Sequence, residues 1–82
     1  MAEKKQISLN KMKNGQCGVF VDIFGGSSLI KRLNALGIRL GQKVTKISSI
    51  YMRGPVTIQV NNTQVAIGFG MAKKIIVELD SH

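Results

Sequence analysis

Residues 56–67 read VTIQVNNTQVAI. Val56, Ile58 and Val60 alternate with Thr57 and Gln59, the period-two pattern of a strand with one covered face. Beyond Asn61-Asn62 the alternation resumes through Val65, Ile67 and Phe69, so a second strand is expected over Gln64–Phe69. Asparagine tolerates left-handed backbone, and the Asn-Asn pair predicts a tight hairpin turn between the two strands. Pro55 stands at the first strand's opening residue, where its missing N–H costs least.

Reading outward, the same signature recurs in short pieces. Gln42 to Ile50 is rich in β-branched residues and predicts a strand, with Tyr51–Gly54 as the loop into the hairpin. Its alternation is imperfect, which points to a bend or bulge. In Cys17–Phe24, Val19, Val21 and Ile23 share one face and Phe20, Asp22 and Phe24 the other. Both faces are largely apolar, so this strand is covered on both sides or curls sharply. Ile7–Leu9 predicts a short strand, and Asn14-Gly15 a turn. Near the C-terminus, Gly70–Lys74 reads as one helical turn. Ile75–Leu79 reads as a closing strand with Ile75, Val77 and Leu79 inward and Glu78 outward.

One helix is expected. Ser27 or Ser28 can cap its start by accepting a hydrogen bond from an orphan amide. Leu29, Ile30, Leu33 and Leu36 fall on one helical face. Gly37 sits where a helix needs a left-handed terminator, and Ile38 can pack back on Leu33 in a Schellman closure. On this reading Leu33, Leu36 and Ile38 belong to the core, while Lys31, Arg32 and Asn34 face water.

The sum is a mostly β chain: five to six short strands with one short α-helix after the second. Strands this short solve their edge problem by curling into a small barrel. The length, 82 residues, allows one domain. Residues 1–6 are expected as a disordered tail and 7–80 as the domain. Nine glycines fit a chain of many tight turns. The formal net charge is +8, from 12 Lys and Arg against 4 Asp and Glu, which attracts anionic partners. Cys17 is the only cysteine, so an internal disulfide is excluded. No run approaches the roughly 20 apolar residues of a membrane span. A cytoplasmic protein is expected, one that reaches the inner face of the membrane through a partner and not by insertion.

The sequence offers little for catalysis. A nucleophile needs a base in reach, and the only candidates are Cys17 in a half-buried strand and His82 at the last position. The four acids, Glu3, Asp22, Glu78 and Asp80, do not form an obvious pair. Asp22 interrupts an apolar strand, but facing solvent or pairing with a lysine explains it. No C-x-x-C or H-x-x-x-H spacing marks a metal site, so neither metal ligands nor cofactor are expected. Gly25-Gly26-Ser27-Ser28 lacks the spacing of a phosphate loop and reads as a strand-to-helix turn. A binding protein, not an enzyme, is the expectation.

Four pieces, in order, carry a family likeness. Leu9 opens the first, with Gly15, Gly18 and Val19 leading into the second strand. Arg32-Leu33-Asn34-Ala35-Leu36-Gly37-Ile38-Arg39-Leu40-Gly41 is the second, and Gly54-Pro55-Val56 the third. Val65-Ala66-Ile67-Gly68 followed by Met71-Ala72-Lys73-Lys74-Ile75-Ile76-Val77 is the last. From Ile7 to Leu79 this pattern resembles ferrous iron transport protein A, the FeoA family, whose fold is an SH3-like barrel. The chain departs from that family in its high charge and in Gly68-Phe69-Gly70, where many members carry charged residues.

The resemblance implies an accessory protein of bacterial ferrous iron uptake. Its partner would be the cytosolic GTP-binding region of a FeoB-type transporter, which it supports or regulates. Lys31, Arg32 and Arg39 flank the helix and its exit and are the expected basic contact face. Met52 and Arg53 at the hairpin tip can extend it, because methionine adapts to partner surfaces. The alternative is an RNA- or DNA-binding SH3-like module, suggested by the charge. Against it, base stacking needs exposed aromatics, and Tyr51 is the one aromatic outside an expected strand.

Overall fold

The computed structural model describes residues 5–48 and 54–80. Six strands lie within them: β1 (Gln6–Ser8), β2 (Cys17–Ile23), β3 (Lys43–Ser48), β4 (Val56–Val60), β5 (Thr63–Ile67) and β6 (Ile75–Leu79). A 3-10 turn, Leu9–Lys11, follows β1; helix α1 (Ser27–Ala35) follows β2; a four-residue helix α2 (Phe69–Ala72) precedes β6. The strands form one antiparallel sheet in the order β1-β6-β2-β3-β4-β5. The last strand is thus clamped between the first two, so the described ends of the chain support each other.

The hairpin forms where the alternation placed it. Val60 pairs with Thr63 across Asn61-Asn62, and Asn61 takes φ 57°. Val56, Ile58, Val60 and Ile67 point into the core. The second strand stops at Ile67, two residues before the predicted Phe69. Phe69 instead opens α2, because the Gly68 carbonyl accepts from the amides of Met71 and Ala72 at 3.1 and 2.9 Å and closes a helical turn.

The strand with two apolar faces is explained by a bulge. Gly18 and Phe20 face the core, not Val19 and Val21. The register with β6 then slips between Phe20 and Asp22, which leaves Val21 as the extra residue. One extra residue inverts the parity of a strand. After it, Ile23 packs against the core while Asp22 is exposed. A second slip, between Lys46 and Ser48, accounts for the imperfect alternation in β3.

Helix α1 closes as expected and starts differently. The amide of Ile38 donates to Leu33 O at 2.9 Å and that of Gly37 to Asn34 O at 3.0 Å, with Gly37 at φ 91°: a Schellman motif. At the start, Gly26 is the N-cap and makes no side-chain cap; Ser27 and Ser28 are already helical. Gly25 brings the chain close to the helix, since a Cβ there would lie 2.5 Å from Leu29 Cδ2.

The core runs through every layer: Leu9 from the 3-10 turn and Met12 at its C-cap, Phe20, Leu33 and Ile38, Val44, the hairpin residues, Ala72, Ile75 and Val77. Leu36 is not in it. It is the C-cap of α1 and is 40% exposed. A helix of nine residues covers this small core with about one turn, and Leu33 takes that place.

Candidate functional site

Burial of the apolar residues is uneven. The large hydrophobic side chains left exposed among the described residues are Phe24, Ile30, Leu36 and Leu40. All four lie between the end of β2 and the segment that leaves α1. Scattered apolar residues on a surface need no explanation, but a concentration of them marks a contact site.

A cleft of about 360 Å³ opens in this region, lined by Asp22, Ile23, Ile30, Asn34, Arg39 and Leu40. Three elements build it. The bulge in β2 turns Asp22 outward and Ile23 inward, and Asp22 Oδ1 accepts from its neighbour's amide, that of Ile23, at 2.8 Å. The middle and last turn of α1 supply Ile30 and Asn34, one turn apart on the same face. The Schellman closure then swings the chain so that Arg39 and Leu40 form the opposite wall. Carbonyl and amide bonds fix that wall: Gly41 N–H donates to Phe20 O at 2.8 Å, and Gln42 N–H to Arg39 O at 3.1 Å.

Of the residues expected to bind a partner, Arg39 is exposed and lines the cleft. Lys31 and Arg32 are exposed on α1 and stand outside its lining. Met52 and Arg53 lie outside the described residues. Sequence reasoning missed Asp22, Ile23, Ile30, Asn34 and Leu40 as a group. One signal was present: the apolar stripe of α1, four residues in two turns, is wider than a marginal helix on a small core can bury.

A second feature was also missed. Lys46 is 3% exposed, and its ammonium donates to the Met12 carbonyl inside the core. Desolvation by burial holds its pKa below the ordinary lysine value. Cys17, expected to be half-buried, is exposed, with Sγ 3.4 Å from Thr45 Oγ1. It sits on the outward parity of β2, opposite Gly18. Among the described residues no three His, Cys, Asp or Glu side chains come together to hold a metal ion. No helix among them is long and apolar enough to cross a membrane.

Comparison with known proteins adds to this geometry. A family model described as the FeoA domain matches residues 7–79. Fe(2+) transport protein A of Methanocaldococcus jannaschii is 36% identical over 66 residues, which span 80% of this chain and 78% of that one. A crystal structure of an iron uptake regulatory protein, FeoA, superposes with a TM-score of 0.88 at 29% identity, over 93% of this chain and 100% of the other. The FeoA of Stenotrophomonas maltophilia, a prokaryotic SH3 domain protein solved with zinc, superposes with a TM-score of 0.73 at 21% identity. It matches over 88% of this chain and 89% of its own. The six-stranded curled sheet with its short helices is therefore SH3-like.

Proposed function

The chain belongs to the FeoA domain family, and from that premise we propose that it is a non-enzymatic accessory protein of ferrous iron uptake. It acts at the cytoplasmic face of the membrane by binding the cytosolic region of a FeoB-type transporter. The observation that carries this reading is the extent of the family match, residues 7–79, which runs from within β1 to the end of β6 and takes in both helices. The relative from Methanocaldococcus jannaschii is named for Fe(2+) transport, which supports the same cargo system. The surface around α1 supports a protein partner: it is exposed, basic at Lys31, Arg32 and Arg39, and apolar beside those charges.

Titration against the purified cytosolic domain of the transporter tests this, with a mixed-sequence RNA as control, at low and near-physiological salt. Saturable transporter binding that survives salt is expected, with RNA binding lost as counterions compete. Replacing Lys31, Arg32 and Arg39 together with Glu should weaken transporter binding roughly tenfold or more. Unchanged affinity would remove that face from the contact. RNA binding that stays tight, with none to the transporter, would favour the nucleic-acid reading that the +8 charge suggests.

A further inference from the structure

We infer that the cleft between β2 and α1 docks one extended segment of the transporter's cytosolic region, a segment that inserts a large apolar side chain and carries a carboxylate beside it. This rests on the proposed function and names the contact through which it works.

The occupant is read from the walls. Ile23, Ile30 and Leu40 offer an apolar lining to a cleft of about 360 Å³. That lies at the small end of ligand cavities, and an inserted aliphatic or aromatic side chain would exclude water from it. Such anchors in pockets dominate the energy of protein contacts. Arg39, on one wall, matches a carboxylate in a two-pronged pairing. Asn34 has an amide that both donates and accepts, which suits the main chain of an extended segment. Asp22 uses Oδ1 on the Ile23 amide, and its second oxygen can accept a main-chain N–H.

The site is preformed. The Schellman closure, the Gly41–Phe20 bond and the close approach at Gly25 hold its three elements without the ligand. A preformed cleft loses little entropy on binding. Charge selects the class of partner: a second copy of this chain would bring another +8 to a face already carrying Lys31, Arg32 and Arg39. An acidic segment gains from that field where a second copy is repelled.

The test compares wild-type protein with the double variant Ile30→Ser, Leu40→Ser by calorimetric titration against the transporter's purified cytosolic region. Both positions are exposed, at 36% and 59%, so the variant should melt close to wild type. Binding by wild type with a loss of roughly tenfold or more in the variant is the expected result. Variant affinity within about twofold of wild type overturns the cleft and leaves the transporter reading standing. A wild-type dimer in sedimentation equilibrium that the variant dissolves would make a second copy the occupant, and also overturns it. No binding by wild type sinks the transporter reading and the cleft's occupant with it. Amide exchange on the wild-type complex gives a separate reading: protection should centre on residues 22–40, and protection confined to β5 would overturn the assignment.

Discussion

Lys46 and Met12 meet inside the core, the lysine ammonium donating to the methionine carbonyl from a side chain only 3% exposed. Lys46 shares its inward parity with Val44 and pairs with Ile58 across β4, so its stem lies among apolar neighbours. Burial of the charge lowers its pKa. Between that lowered value and the ordinary one, the unfolded chain binds more protons than the folded chain. Stability contributed by this site therefore rises with pH across that interval, and below it the full cost of the buried charge is carried. Lys46→Met keeps the stem and removes the titration. Chemical denaturation from neutral to alkaline pH should show wild type gaining on the variant as pH rises. A constant difference between the two would show that Lys46 does not titrate differently on folding.

Gly18 is required by the contact between β2 and β6. A Cβ at this position would lie 2.5 Å from Val77 Cγ1 and 2.6 Å from the Glu78 carbonyl oxygen. The second neighbour is backbone in the middle of the sheet and cannot swing away. Gly18→Ala should cost about 1–3 kcal/mol or more, lowering Tm by roughly 4–8 °C per kcal/mol. Gly70→Ala is the contrast: that glycine is helical and nothing lies within 4 Å of its added Cβ. Thermal melts should show it neutral or stabilised by up to about 1 kcal/mol.

Gly37 isolates a backbone effect. Its φ of 91° lies in the left-handed region, and no atom would crowd an added Cβ. Gly37→Ala should therefore lose about 1–2 kcal/mol of stability through backbone strain alone, with Asn tolerated better than Ala. If Ala and Asn melt together with wild type, the left-handed backbone at residue 37 carries no strain cost for a side chain.

These residues show why part of the fold was legible and part was not. The Asn61-Asn62 hairpin and the Gly37 closure are local: each is set by a few consecutive residues whose backbone preferences point one way. The inward turn of Phe20 is not local. Val19, Val21 and Ile23 look like the covered face until the bulge at Val21, and the pairing that creates the bulge is with β6, more than 50 residues along the chain. The same holds for Lys46, whose partner carbonyl comes from Met12, 34 positions away. Of the residues that line the cleft, charge pointed to Arg39. The cleft was hidden because Asp22, Ile30 and Leu40 become neighbours only once the bulge and the helix closure have set the walls.

Leu33 and Leu36 separate the structural and exposed parts of α1. Both belong to the apolar stripe, yet Leu33 is fully buried and Leu36 is 40% exposed. Leu33→Ala removes atoms from the core beneath the helix and should cost about 2–5 kcal/mol. Leu36→Ala alters the C-cap residue, whose amide bonds to the Leu33 carbonyl at 3.0 Å whatever its side chain. Its effect should stay within roughly 0.5 kcal/mol. Urea denaturation of the two variants measures both. A loss at Leu36 as large as that at Leu33 would place Leu36 in the core. It would also take Leu36 out of the exposed apolar set of Phe24, Ile30, Leu36 and Leu40.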